Sequence, residues 1–350
     1  MSDSGHSAYR EAGVDIDAQD EALSGIGELV RSTFTSGVLS ELGSFGGLFQ
    51  PSFEGMEAPV LVSSADGVGT KLAVAKAAGD YSTVGGCLVN HCVNDILVQG
   101  AQPLFFMDYV GAGVLEAEPM HQLVSGVAEA CRANGCALLG GETAEMPGFY
   151  QPGDYELVGF VVGLVDRTAV LDGSRVCEGD VLLGLPSSGL HTNGYSLARR
   201  AFFDLGGASL ETPLIEGSDR TVGEELLEQH VSYLPALGPL IGDPGLHALA
   251  HITGGGLTDN LPRVLPQGHR ALIDESAWQV PAVFQRIREL AGVSDAEMFR
   301  VFNMGIGMVA IVAPDRVAHL EAQLPESVRV GVVEAIADTT ATAHVAYQGH

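Results

Sequence analysis

The chain has 350 residues, 46% of them hydrophobic, and a formal net charge of −27 from 17 Lys and Arg against 44 Asp and Glu. Such acidity argues against nucleic acid or an anionic membrane as partner, and no apolar run is long enough to span a bilayer. The length favours two domains, and the 46 glycines, spread through apolar sequence, predict tight turns and ligand loops rather than disorder.

Five cysteines, Cys87, Cys92, Cys131, Cys136 and Cys177, form no C-x-x-C pair. With no signal peptide apparent, they read as reduced thiols and the expected compartment is the cytoplasm. Residues 1–8 are polar and expected to be disordered, and a helix is expected over 18–34. The segment 42–48 is glycine-rich around Phe45. It reads equally as a mobile flap anchored by Phe45 or as an ordinary surface turn.

An apolar run at 59–62 leads into Asp66-Gly67-Val68-Gly69-Thr70-Lys71, and a helical run follows over 72–78. A strand thereby delivers a carboxylate to a turn in which Gly67 and Gly69 allow close backbone approach. The helix start offers free N–H groups to an anion. Lys71 adds a point charge, and Asp66 adds the kind of hard oxygen that Mg²⁺ takes alongside phosphate. The only two lysines, Lys71 and Lys76, both fall here. The stretch suggests a metal-bound nucleotide phosphate, without the Walker spacing. The alternative is a strand–turn–helix junction with a capping Asp.

Further along, helices are expected over 83–99, carrying Asn94 and Asp95, and over 120–133. Strands are expected at 103–110, at 137–139 running into the glycine-rich 140–148, and at 155–165. This alternation predicts an α/β domain over 9–170, with the boundary in the polar segment 166–179. A second domain over 171–350 starts with a strand at 180–185 that enters a turn carrying His191 and Asn193. A helix then runs to about 205, and 206–222 reads as loop. A strand at 248–252 leads to Thr253-Gly254-Gly255-Gly256 and a helix to 264. An amphipathic helix at 281–290 precedes a strand at 299–312, a helix at 316–324 and a strand at 328–335.

The polar groups in these turns divide by half. The first half supplies Asp66, Asp95, Asp108, Glu142 and Glu145 from apolar surroundings, where carboxylates need a partner or a metal. Metal contact is expected of Asp66, Asp95 and Glu142, and internal hydrogen bonding of Asp108 and Glu145. The second half supplies His191, Asn193, His251 and Thr253, with backbone donors at Gly254–Gly256 suited to a sugar phosphate. His191, between a Ser-Ser-Gly turn and Asn193-Gly194, suits proton transfer, whereas His91 and His121 read as structural. On residues alone the chain is a Mg²⁺-nucleotide enzyme acting on a phosphorylated small molecule.

Taken together, the motifs form one ordered set. It contains Asp66-Gly67-Val68-Gly69-Thr70-Lys71, Val93-Asn94-Asp95-Ile96, Gln99-Gly100-Ala101-Gln102-Pro103-Leu104-Phe105-Phe106 and Gly140-Gly141-Glu142-Thr143-Ala144-Glu145-Met146-Pro147-Gly148. It continues through Ser187-Ser188-Gly189-Leu190-His191-Thr192-Asn193-Gly194-Tyr195, His251-Ile252-Thr253-Gly254-Gly255-Gly256 and Phe302-Asn303-Met304-Gly305-Ile306-Gly307-Met308. From the Tyr9 to Asp17 opening to the C-terminus, the set resembles the phosphoribosylformylglycinamidine cyclo-ligase family.

The resemblance implies ATP-dependent ring closure of formylglycinamidine ribonucleotide to aminoimidazole ribonucleotide through an iminophosphate, with Mg²⁺ as metal. It also implies a two-domain α/β (α+β) fold: an N-terminal mixed sheet that forms a β-barrel across a homodimer, and a C-terminal α/β sandwich. Asp66, Gly67, Gly69, Thr70, Lys71, Asn94, Asp95, Gly141, Glu142 and Phe45 then fall on the nucleotide side. His191, Asn193, Thr253, Gly254 and Gly255 fall toward the substrate, with His191, Lys71, Asn193 and His251 as catalytic candidates. Two departures stand out: Ser44 precedes Phe45 where the family loop has paired glycines, and Val231 stands where an Arg is usual in a helix after Leu227. The rivals are other acceptors on the same fold, as in thiamine-phosphate kinase or selenophosphate synthetase, and a non-catalytic dimeric maturation protein.

Overall fold

Two mixed sheets, each covered by helices, organise the chain in a computed structural model that describes residues 25–348. The expected disorder at 1–8, the opening Tyr9 to Asp17 and the first part of the 18–34 helix lie outside the described residues. What is described of that helix is α1, Ile26–Arg31.

The first sheet has the order β1-β4-β2-β3, from Pro59–Gly67, Tyr155–Asp166, Gln102–Ala112 and Ala137–Glu145. β1 and β2 both run antiparallel to β4, while β2 and β3 are parallel. Helix α2, Lys71–Ala78, follows β1 directly. Helix α3, Val84–Leu97, is apolar on nearly every side and is accordingly buried all round, with β1 and β4 on one flank and helix α4, Ala117–Ala133, on another. The α3–α4 contact depends on two glycines. A Cβ at Gly85 would strike the Leu123 carbonyl, and a Cβ at Gly126 would crowd the Ser82 carbonyl and the Gly86 amide.

The second sheet has the order β10-β7-β9-β5-β8-β6, from His344–Tyr347, His269–Ile273, Val328–Ala335, Val181–Pro186, Ile306–Val312 and Leu246–His251. All seven residues of β8 are buried, as expected of an uninterrupted apolar run paired on both sides, by β5 and β6. Around it lie α5 (Tyr195–Arg199), α6 (Val222–Leu227), α7 (Leu234–Leu237), α8 (Gly256–Asn260), α9 (Ala282–Ala291), α10 (Asp295–Val301) and α11 (Val317–Gln323).

Several local expectations are corrected. Gly140 to Glu145 is strand rather than turn: its carbonyls and amides pair with β2, and the missing side chain at Gly141 leaves room for the Asp108 carboxylate. The segment 299–301 is helical and β8 begins only at Ile306, because Met304 (φ 53) and Gly305 (φ 96) turn the chain first. The helix beyond α5 widens to a π-helix at Arg200–Leu205, and the 206–222 loop ends in a capping box, Thr221 with Glu224, that starts α6. No helix covers 228–233. That backbone is drawn out because its carbonyls serve other side chains: Lys71 takes Glu228, Asn90 takes His230 and Asn94 takes Val231. Strands β7 and β10 and helix α10 had no counterpart in the sequence reading.

Candidate active site at the junction of the two layers

The strand β1 alternates, and its inner face presents Ser64 and Asp66 to α3. On α3, His91 and Asp95 are one turn apart and share the face that meets this strand and the second layer. Asp66 Oδ1 accepts from the Gly67 amide at 2.7 Å, and its Oδ2 pairs with His91 Nε2 at 2.8 Å. Asp95 Oδ2 accepts from the Ser64 hydroxyl at 2.9 Å, while its Oδ1 pairs with His251 Nδ1 at 2.8 Å. Burial pushes both carboxyls up, but the adjacent histidines and hydrogen-bond donors outweigh it and hold both below the usual carboxylate range. Ligand atoms of Asp66, His91 and Asp95 lie within 4.8 Å of one another. Asp66 remains half open to solvent.

Behind these carboxylates four imidazoles are buried together: His91, His191, His230 and His251. The His191 and His230 rings stack at 3.9 Å, and the His230 and His251 Nε2 atoms are 3.2 Å apart. Thr192 links the group, with its hydroxyl 2.7 Å from His91 Nδ1 and 3.4 Å from His230 Nδ1. Burial drives His191, His230 and His251 below the ordinary imidazole value, with the neighbouring histidines adding to it. His191 sits in the left-handed backbone region at φ 62, which a non-glycine residue occupies at a cost. Its Nε2 accepts from the Ser188 amide at 3.3 Å, and its Nδ1 is buried with no hydrogen-bond partner among the described residues. Strain and an unpaired polar atom on one side chain mark it as a group kept for something other than packing.

The other expected residues are placed as follows. Asn193 and Thr192 are within 3.5 Å, and Gly254 packs against the Asn193 carboxamide. Thr253 donates to Asn260, and Asn260 in turn holds the carbonyls of Thr253, Gly254 and Gly256, with Gly255 at φ 103 between them. Thr253 and Asn260, with Asp95, His251, Ser64 and Arg263, line a cleft of about 330 Å³ between the layers. Gly67 closes β1, Gly69 turns at φ 55, and Thr70 reaches across to the Ser196 hydroxyl at 3.1 Å. Phe45 stands exposed in a loop closed by the Val38–Phe49 bridge.

Four placements depart from the expected roles. Lys71 does not face the opening. It is fully buried, and its ammonium donates to the His191 carbonyl at 3.1 Å, the Glu228 carbonyl at 2.5 Å and Cys87 Sγ at 3.2 Å. Asn94 is likewise engaged. Its carboxamide takes the Tyr233 amide at 2.9 Å and gives to the Val231 carbonyl at 2.8 Å, so it fixes backbone instead of reaching a nucleotide. Glu142 is not with Asp66 and Asp95 in one chain. Its row in the sheet runs Glu142–Tyr109–Val158–Gly67, three strand spacings or about 14 Å across. Asp66 belongs to the adjacent row, whose side chains point to the opposite face. Gly141, expected beside the nucleotide, faces the Asp108 carboxylate instead.

Sequence reasoning missed His230 and Arg263 and assigned His91 to packing. The signal for His91 was present, since it lies four residues before Asp95 on one helix. His230 and Arg263 join the site only through tertiary packing, and nothing local singles them out.

The chain matches the AIR synthase related protein, N-terminal domain over residues 55–165 and the AIR synthase related protein, C-terminal domain over 178–344. It is 50% identical over 305 residues to a phosphoribosylformylglycinamidine cyclo-ligase of Trichlorobacter lovleyi, covering 87% of each chain. A protein of the same name from Anaeromyxobacter sp. (strain K) is 49% identical over 341 residues, covering 96% of this chain and 98% of that one. Among solved structures, thiamine-monophosphate kinase of Stenotrophomonas maltophilia superposes with a TM-score of 0.64 at 19% identity, covering 93% and 95% of the two chains. The hydrogenase maturation protein HypE in complex with ATP also gives 0.64, at 16% identity, covering 99% and 92%. These two likenesses concern the fold alone.

Proposed function

The chain belongs to the phosphoribosylformylglycinamidine cyclo-ligase family, and from that premise we propose how its own residues divide the work. The protein is a ligase of purine biosynthesis. It closes formylglycinamidine ribonucleotide to aminoimidazole ribonucleotide at the expense of ATP, releasing ADP and phosphate. An amide oxygen is a poor leaving group. Phosphoryl transfer to it gives an iminophosphate, and attack by the amidine nitrogen closes the ring and expels phosphate. Catalysis then consists of positioning and charge stabilisation.

Asp66 and Asp95 hold Mg²⁺, whose role when bound is to neutralise phosphate charge. Their ligand atoms lie close enough for one ion, and their ionised state suits a hard cation. Gly67, Gly69 and Thr70 form the nucleotide side, with Phe45 on a flap that keeps water from the activated amide. Lys71 acts from behind, by fixing the His191 and Glu228 backbone. His191 and Asn193 face the reacting formyl–amidine group, His191 holding or moving a proton through its unpaired Nδ1. The Thr253–Gly255 turn takes the ribose phosphate. Arg263, which lines the same cleft, supplies the cation that Val231 does not.

We assign the chain to two domains divided between 166 and 179, a homodimer and a cytoplasmic location. The support for a dimer is the outer face of the first sheet. There Leu61 (65% exposed) and Phe160 (42% exposed) flank Ala65, a solvent-facing apolar surface of the kind that a partner sheet covers. A barrel closed by two such faces also removes the open edge. Glu142, on that outer side, then belongs to the interface.

The observation that carries the reading is near-50% identity over almost the whole chain, joined to two carboxylates, Asp66 and Asp95, each paired with a buried histidine. The test is ADP release from Mg·ATP with and without formylglycinamidine ribonucleotide, alongside a colour assay for the aminoimidazole. Substrate-dependent ADP release matched by product supports it. ADP release that ignores the substrate, or turnover that requires glutamine, refutes it.

A further inference from the structure

Lys71 carries its charge into the interior without a carboxylate. Lys71 and Cys87 are both 0% exposed. A charge taken wholly out of water needs one of opposite sign beside it. The acidic side chains of the segment that Lys71 touches, Glu225 and Glu228, are both paired with Arg220. Among the described residues no carboxylate pairs with Lys71. The Tyr195 ring lies 5.4 Å from Lys71 Nζ, but its hydroxyl donates to the Leu226 carbonyl at 2.7 Å and burial pushes the phenol up to about 12. The three N–H bonds of the ammonium go to the His191 and Glu228 carbonyls and to Cys87 Sγ. Carbonyls are dipoles, so only the sulfur among these acceptors can hold a full negative charge. Cys87 Sγ also accepts from the His230 backbone amide at 3.3 Å, and among the described residues it donates to nothing. A thiol is a weak acceptor whose S–H needs an acceptor of its own. Two N–H groups converging on a sulfur that has no acceptor for a proton fit the thiolate.

We propose that Cys87 rests as a thiolate, the counter-ion of Lys71, and that through Lys71 it is a positioning residue for His191. The ammonium at 3.2 Å favours the charged sulfur, and burial keeps water from screening the pair. The benefit is mutual. Burial opposes the Lys71 charge, yet Cys87 beside it outweighs burial, and the ammonium stands above its ordinary value. The other titratable groups around the pair do not compete for either charge. Burial holds His191 and His230 below the ordinary imidazole value, the Tyr195 phenol is protonated, and Glu225 is taken by Arg220. Cys87 lies in the first turn of α3, and Lys71 is the first residue of α2. The thiolate thus fixes the ammonium, and the ammonium fixes the carbonyl of the residue with the strained backbone in the second layer. The effect on turnover rests on the role assigned to His191 above; the charge state of the sulfur does not.

The test follows the ultraviolet absorption of thiolate in the full chain without substrate, so the charge is read whether or not the chain closes the imidazole ring. Wild type minus Cys87→Ser should show one thiolate per chain at about pH 7, where an unperturbed thiol is still mostly protonated. Burial pushes Cys92 and Cys131 upward, so they do not contribute. The band should vanish in a folded Lys71→Met protein and remain in Cys177→Ser, which changes an exposed thiol. Cys87→Asp puts a carboxylate where the thiolate stood; it lacks the band and supplies the baseline where Cys87→Ser does not fold. In the ring-closure assay Cys87→Ser should lose roughly 10²-fold in kcat, the cost of a small misplacement, and Cys87→Asp should recover most of it. Adding Cys87→Ser to Lys71→Met should cost little more than Lys71→Met alone, since the two act as one unit. A difference spectrum without thiolate overturns the proposal, and so does a band that survives in Lys71→Met. A Cys87→Ser enzyme with wild-type kcat, or a Cys87→Asp enzyme no faster than Cys87→Ser, overturns the positioning role.

Discussion

Lys71 donates its ammonium proton to the backbone carbonyl of His191 at 3.1 Å, so a side chain from the first layer fixes the residue with the strained backbone in the second. Burial alone would disfavour the charge, but Cys87 and Tyr195 beside it favour it, and the net direction is upward. Lys71→Met removes the donor and leaves the His191 and Glu228 carbonyls buried without one. The expected loss is on the order of 2–4 kcal/mol in urea unfolding, with reduced turnover. A midpoint equal to wild type would show that the ammonium is not a tie between layers.

His191 allows strain and chemistry to be separated. His191→Ala and His191→Gly both remove the imidazole, and kcat should fall by roughly 10²–10⁴ in both, the range of general acid–base catalysis. Only glycine also relieves the left-handed backbone, so His191→Gly should unfold at higher denaturant than His191→Ala, by about 1 kcal/mol. Near-normal kcat in a folded His191→Ala protein would remove the imidazole from the mechanism.

Asp108 sits on the inner face of the first sheet beside Gly141, and burial pushes its carboxyl up to about 7. Below about pH 4 it is neutral both folded and unfolded. As pH rises, the unfolded chain ionises first and stability falls, until the folded group also ionises near 7. Asp108→Asn should therefore match wild type near pH 4 and exceed it at pH 8 by on the order of 4 kcal/mol. A stability difference that does not change with pH would contradict the assignment.

The outer face of the first sheet gives a fourth test. Phe160→Asp places a charge where Leu61 and Ala65 form an apolar surface. If this face is the proposed dimer interface, light scattering should show a dimer for wild type and a monomer for the variant at the same concentration, with unchanged circular dichroism. A dimer that survives the charge would place the interface elsewhere.

Asp95→Asn should raise the Mg²⁺ concentration needed for half-maximal activity by about tenfold or more, since a neutral amide replaces one of two anionic oxygens. An unchanged Mg²⁺ dependence would move the ion away from Asp95.

The sequence revealed the sheet-forming runs well where an apolar, β-branched stretch was bounded by turn residues, as in β1, β4 and β9. It misled at Gly140 to Glu145, where paired glycines signal a turn locally but the chain stays in the strand and Gly141 clears space for Asp108. Asp66, Asp95, His191 and His251 could be read because each lies at the end of an apolar run or beside glycines. Lys71 was expected on the nucleotide side because it is a cation in a glycine-rich turn at a helix start. Its buried acceptors lie 120 and 157 residues further on, beyond any local pattern. His230 was invisible for the same reason, since only the fold places it against His191 and His251.

The Lys71 tie also has a consequence for synthesis. A ribosome releases Lys71 long before the carbonyls of His191 and Glu228 exist. The emerging N-terminal half must therefore keep that ammonium in water, with α2 undocked against the second layer, until translation has passed Glu228. A polypeptide stopped short of that point would hold a cation with no socket, so the first half is not expected to survive as an expressed fragment.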